Sequence, residues 1–167
     1  MINYQTTALE DFVRNIYLRH KIMTPQDLNI DRIGRIFYIH THRKPMLPRF
    51  DVIVRYRGII IDSREPESIQ REQFFHELCH ILRHAGHQTL MPNAFRELQE
   101  NDAQAFTMYA ALPYHMIKHY DFNDPFIVGI LAESFCIRKS LVFDRLEQIY
   151  RNQKSTYLYS NYDVSYL

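Results

Sequence analysis

The chain has no tryptophan and only two cysteines, and neither sign of charge prevails. None of its apolar runs approaches the roughly eighteen residues of a membrane-spanning helix. Each absence removes a class of protein. Cys79 and Cys136 are too few to staple a secreted disulfide framework, so a reducing compartment is the simpler setting. The start, "MINYQTTALEDFVRNIY", lacks a basic head, an apolar stretch and a small-residue cleavage site. No secretory signal and no membrane span are therefore expected, and the expected location is cytoplasmic. Twenty lysines and arginines face 19 acidic residues, a formal net charge of +1. That balance gives little nonspecific attraction to nucleic acid unless the cations gather on one face.

What is present suits a folded globular chain. With 167 residues, 46% of them hydrophobic, it has the length of one ordinary domain, enough to bury roughly two-thirds of the surface its unfolded form exposes. Twelve tyrosines and 11 phenylalanines make it aromatic-rich. Five of the tyrosines, counting Tyr150, fall in the final stretch "YRNQKSTYLYSNYDVSYL". Neither an internal repeat nor a Gly/Ser-rich linker interrupts the chain. The expected organisation is one domain over residues 1–150, with a C-terminal helical segment at about 124–150, followed by a tyrosine-rich tail over 151–167.

Periodicity supplies the elements. Leu9, Phe12, Val13 and Ile16 recur at three- and four-residue steps, the stripe of an amphipathic helix. Thr24 and Pro25 can open a short second helix. "RIFYIH" reads as a strand, "THRKPMLPR" as a loop, and "FDVIVRY" and "GIIID" as a hairpin or meander parted at Arg57 and Gly58. "REPESIQREQFFHELCHILRHAG" reads as a long helix burying Phe74, Leu78, Ile81 and Leu82, with Gly86 as its stop. "NAFRELQENDAQAFTMYAALP" reads as a second, with Phe95, Leu98, Ala105, Phe106 and Tyr109 on the core side and Pro113 at its end. Asp124 and Pro125 open a third running to about Phe135, and "SLVFDRLEQIYRNQ" gives a fourth. The expected class is α+β, mainly helical, with a small antiparallel sheet.

The chemistry lies in "HELCH". On a helix His76 and His80 stand one turn apart on the same side, so both imidazoles can hold one zinc ion, and Glu77 lies beside them to take a proton from metal-bound water. A catalytic zinc commonly takes a third protein ligand and keeps a fourth position for water. His84 is a poor choice, because positions i and i+8 lie about 12 Å apart along a straight helix. It is better placed to pack beneath the site or to bond to a ligating side chain. His87 reaches back only if the chain turns sharply after Gly86. Metzincin spacing would want Gly at position 83 and His at 86, where Arg83 and Gly86 stand. In the next helix Glu97, Glu100 and Gln104 form a stripe beside the apolar face. Glu100 can donate a carboxylate and Gln104 can bond to a ligand histidine. Asp102 points elsewhere by roughly 160°, although a shift in helix phase makes it the ligand instead.

These two blocks, "REQFFHELCHILRH" and "ELQENDAQAFTMYAALP", resemble the ImmA/IrrE family of zinc metallopeptidases. Arg71, His76, Glu77, Leu78, His80 and His84 match the first part of the family pattern; Glu100, Ala103, Phe106, Leu112 and Pro113 match the second. The resemblance implies a zincin-like metallopeptidase domain in which the HExxH helix packs on the acidic helix. It also implies a zinc on His76, His80 and Glu100, with Glu77 as general base. The implied activity is that of a zinc metalloendopeptidase, cytoplasmic and carried by prophages or mobile elements, which cleaves a cognate helix-turn-helix repressor. Three positions depart from the pattern: Cys79 replaces a Gly, Gln104 an Asn, and Asp102 a position often filled by Glu.

Two other readings stand beside this one. "DPFIVGILAESFCIRKSLVFDRLEQIY" has two helices joined near "CIRKS", with Arg138, Lys139 and Arg145 close by, a pattern compatible with a helix-turn-helix DNA-binding protein. The near-neutral charge and the lack of a dense basic stripe disfavour direct DNA binding. A zinc-containing protein that grips a regulator without proteolysis is the other, and Glu77 argues against it, because a structural zinc needs no base.

Overall fold

The computed structural model describes residues 4–84 and 92–162. Gly86 and His87 lie outside the described residues, as do the side chains of the tyrosine-rich segment from 154 onward.

Helix α1 (Ala8–Arg19) opens with a reciprocal cap: the Thr7 hydroxyl accepts the Glu10 amide at 3.2 Å, and the Glu10 carboxylate accepts the Thr7 amide at 2.9 Å. Its buried Val13 and Tyr17 face the core, and the Tyr17 hydroxyl donates to the Ala110 carbonyl at 2.8 Å. A single 3-10 turn, Pro25–Asp27, follows Thr24.

The run read as a strand at "RIFYIH" is instead the end of a helix and a turn. Helix α2 (Ile30–Ile36) starts at Asn29, whose side chain accepts the Arg32 amide, and buries Ile30, Ile33 and Gly34 at helical spacing. The chain then folds straight back, and the Ile39 amide donates to the Gly34 carbonyl at 2.8 Å. A Cβ on Gly34 would lie 2.8 Å from the Thr41 hydroxyl. Only glycine permits that approach.

Strands β1 (His40–Lys44), β2 (Arg49–Ile53) and β3 (Tyr56–Asp62) form a sheet in the order β1-β3-β2. The sheet is mixed, which corrects the antiparallel expectation: β2 pairs antiparallel with β3, but β1 pairs parallel with it. The cause is the apolar run Ile59, Ile60 and Ile61. All three are buried, so β3 takes the centre, where both faces can be covered, and the more polar β1 and β2 become edges. The hairpin turns at Val54 and Arg55, with Val54 in the left-handed region at φ 54°, three residues earlier than Arg57 and Gly58.

Helix α3 (Glu67–Arg83) packs under the sheet with Phe74, Phe75, Leu78 and Cys79 buried. Gln73 fixes its position by accepting the Asp62 amide from the end of β3 at 3.0 Å. Arg71 anchors its other side, donating to the Phe135 carbonyl at 3.1 Å. Helix α4 (Asn93–Ala111) buries Ala103, Phe106, Thr107 and Ala110. Phe95 and Leu98, expected in the core, are instead 60% and 64% exposed, and the buried residues of α4 begin at Ala103. A short α5 (Tyr114–Ile117) follows Pro113. Helix α6 (Ile127–Phe135) ends at Cys136, in the left-handed region at φ 50°, and α7 (Lys139–Tyr162) is the last helix among the described residues. No helix among the described residues is long and apolar enough to cross a membrane.

The α6–α7 junction was the basis of the DNA-binding reading. One of its three cations, Arg145, is fully buried against Glu10 and is not presented to a phosphate. Arg138 is half-exposed, but its side chain and backbone amide both bond to the buried Glu72, the latter at 3.0 Å, so its charge is already paired.

Candidate metal centre

Helical repeat alone puts His76 and His80 on one side of α3, and burial then separates them: the His76 side chain is 28% exposed and that of His80 is 2% exposed. Their Nε2 atoms face each other at 3.2 Å. Glu100, on α4, brings one carboxylate oxygen to 3.2 Å from His76 Nε2 and the other to 3.4 Å from His80 Nε2. One donor atom from each of the three side chains lies within 4.8 Å of the other two. Tetrahedral zinc with bonds of about 2.0 to 2.1 Å holds its ligand atoms about 3.3 Å apart. The two nitrogens, and each nitrogen with its nearer carboxylate oxygen, stand close to that spacing, and the donor set is one that zinc accepts.

The electrostatics agree with the geometry. Burial and the neighbouring His76 push His80 down to about 4, so its imidazole is neutral at pH 7 and has a lone pair to give. Glu77 is buried beside them. Desolvation and the Glu100 carboxylate push it up to about 7, against the backbone amide of Phe50, which stabilises its charged form. A carboxylate poised near neutrality is suited to accept and return a proton.

Phe50, on β2, was not singled out in the sequence. Its ring stacks on His80 with centroids 5.3 Å apart and planes 17° from parallel. Finding it requires knowing that β2 is the edge strand nearest α3, and no local pattern carries that.

The remaining candidates separate cleanly. His84 leaves the helix at its C-cap and turns back, so that its Nδ1 lies 2.9 Å from His80 Nδ1 and its Nε2 lies 3.0 Å from Asp102. Asp102 faces away from Glu100 and takes two hydrogen bonds from Arg83, at 2.7 and 3.1 Å. Gln104, expected to bond to a histidine, is exposed on the wall of a cavity, and among the described residues no hydrogen bond joins it to one. That cavity, of about 660 Å³, runs beside His76 and Glu77 between Pro48, Gln73 and Met108, with Arg138 and Asp144 at its far end. No tyrosine among the described residues lines it.

A peptidase-family profile, described as the IrrE N-terminal-like domain, matches residues 34–147. The chain belongs to this ImmA/IrrE family. The match starts at Gly34 in α2, takes in the sheet and both site helices, and ends in α7. Phage-like element PBSX protein XkdA of Bacillus subtilis (strain 168) is 30% identical over 150 residues, covering 87% of this chain and 74% of that protein. Uncharacterized protein YqaB of the same organism is 29% identical over 157 residues, covering 90% of this chain and 88% of that protein. No solved structure matches. Membership in a peptidase family and the convergent His, His and Glu donors together support an enzyme of the metallopeptidase type.

Proposed function

We propose that the chain is a cytoplasmic zinc endopeptidase of zincin-like architecture that cleaves a helix-turn-helix repressor at one site and so releases the genes it silences. The observation that carries this reading is the grouping of two imidazole nitrogens and the Glu100 carboxylate within reach of one ion, with a buried carboxylate beside them and a cavity alongside. His76, His80 and Glu100 are the residues that would hold the ion. When bound, zinc would supply a water of lowered pKa and Lewis acidity at the scissile carbonyl. Glu77 would act as general base and then return the proton to the leaving amine. Its desolvated carboxylate favours both transfers.

The edge of β2 is the natural guide for an extended substrate. The Phe50 amide is turned toward Glu77 and away from β3, so by antiparallel alternation the amide and carbonyl of Val52 also lie on the open edge. A peptide can add there as another strand beside the site. Membership in the family supports a repressor as substrate, and the phage-like element named in one relative agrees with a mobile-element setting.

The test is to incubate wild-type chain and Glu77→Gln with the repressor encoded beside its gene and to read intact masses. Wild type should yield two fragments, and Glu77→Gln should bind zinc and repressor but yield none. If both relieve repression with the repressor intact, the peptidase reading fails and a zinc-dependent binding protein replaces it.

A further inference from the structure

Behind the proposed zinc ligands lies a chain of hydrogen bonds that fixes which nitrogen of each histidine carries its proton. His80 Nε2 faces His76 and Glu100, so if that nitrogen gives its lone pair to a metal, the ring proton sits on Nδ1. His80 Nδ1 is 2.9 Å from His84 Nδ1, which must then accept. The neutral His84 ring therefore carries its own proton on Nε2. That atom is 3.0 Å from Oδ2 of Asp102, which as a carboxylate can only accept. Arg83 closes the chain with its Nε 2.7 Å from Oδ2 and its Nη2 3.1 Å from Oδ1, and the guanidinium rests over the Phe12 ring of α1. Every donor in the series points toward Asp102.

We infer that Asp102 is a positioning residue: through His84 it sets the tautomer and ring orientation of His80, although it touches neither metal nor substrate. The inference rests on the zinc reading above. A second cation among Cys79, His84 and Asp102, whose donor atoms also approach one another, is the competing use of these groups. Arg83 already bonds to both Asp102 oxygens and balances their charge, so the cluster is complete as a hydrogen-bonded chain.

Asparagine at position 102 offers one acceptor oxygen to N–H groups that now share two, so its NH2 group must oppose either Arg83 or His84. Facing Arg83, it leaves His84 on a neutral acceptor; facing His84 Nε2, it moves the His84 proton to Nδ1, and two N–H groups then oppose each other across the His80–His84 contact. Glutamate keeps an acceptor-only carboxylate.

The experiment loads the full chain with zinc, its histidine nitrogens isotopically labelled, and reads the tautomers from long-range proton–nitrogen correlation spectra. Zinc affinity is measured in parallel by competition with a chelator. In the wild-type chain His80 should carry its proton on Nδ1 and His84 on Nε2. Asp102→Asn should weaken zinc about 10- to 100-fold, with the His84 tautomer shifted where the amide NH2 faces it, and Asp102→Glu should restore the wild-type affinity and tautomers. The wild-type spectrum alone tests the proposal should the asparagine variant fold poorly, and His84 protonated on Nδ1 in that spectrum overturns it. Two zinc ions per chain overturn it in favour of the second cation site. Stoichiometric zinc with affinity and tautomers unchanged in Asp102→Asn overturns this inference alone, whereas a wild-type chain that binds no zinc overturns the metallopeptidase reading with it.

Discussion

Phe50 and His80 lie ring on ring, 5.3 Å apart and 17° from parallel, so the edge strand of the sheet presses directly on the most buried of the proposed ligands. Stacked aromatic pairs contribute about 0.5 to 1.5 kcal/mol beyond their buried area. Phe50→Ala should therefore leave His80 free to turn. The expected result is zinc affinity weakened by about 3- to 10-fold, the equilibrium equivalent of that stacking contribution, with stoichiometry kept. Titration of the zinc-free chain against a competing chelator measures it. Unchanged affinity would mean that β2 does not lie on the site.

Glu100 and Asp102 are two residues apart and face opposite ways, one toward His76 and His80 and the other toward His84 and Arg83. Their alanine variants should separate accordingly. Glu100→Ala removes a donor and should bring zinc content well below one per chain after gentle chelation. Asp102→Ala should keep one zinc per chain with weaker affinity. Metal analysis of the purified variants decides, and the reverse pattern would assign the ligand to Asp102.

The reach of Glu100 toward the histidines was expected from the helical phase set by Leu98, Ala105 and Phe106 and from the family resemblance, with Asp102 left open. The same stripe put Gln104 beside a histidine, yet it stands on the cavity wall, because phase fixes a side chain's direction and not what lies opposite it. Phe50 could not be found in this way, because its place over His80 depends on β3 inserting between β1 and β2, a pairing of segments with no sequence mark. "RIFYIH" misled for a related reason: Ile36, Phe37 and Ile39 have the β-branched and aromatic character of a strand, but the Asn29 cap and the fold-back onto Gly34 decide in favour of helix and turn. Phe95 and Leu98 carry the right residue types for a core, yet the buried residues of α4 begin at Ala103.

If a substrate strand adds to β2, a change that removes an edge amide without touching the metal ligands should impair cleavage selectively. Val52→Pro is such a change. It deletes one outward N–H in an edge strand, where proline is tolerated. Zinc content and melting temperature should stay near wild type, and kcat/KM on the repressor should fall about 5- to 100-fold, the value of one or two lost hydrogen bonds. An unaltered kcat/KM would place the substrate elsewhere.

The largest expected effect on stability lies away from the site. Arg145 is fully buried, pairs with the buried Glu10 at the start of α1, donates to the Leu112 carbonyl at 3.2 Å and lies between the Tyr4 and Tyr109 rings. It ties α1, the end of α4 and α7 together. Arg145→Leu keeps the bulk but leaves the Glu10 carboxylate without its counter-charge in a place that water does not reach. Breaking a buried pair from one side costs about 3 to 5 kcal/mol. The urea midpoint should fall by that amount divided by the slope of the transition, with the slope itself unchanged. Glu10→Leu combined with Arg145→Leu should recover much of the loss, because no charge is then stranded, although the Leu112 carbonyl still lacks its donor. A loss below about 1 kcal/mol for the single variant, the range of an exposed pair, would show that this guanidinium is reached by solvent.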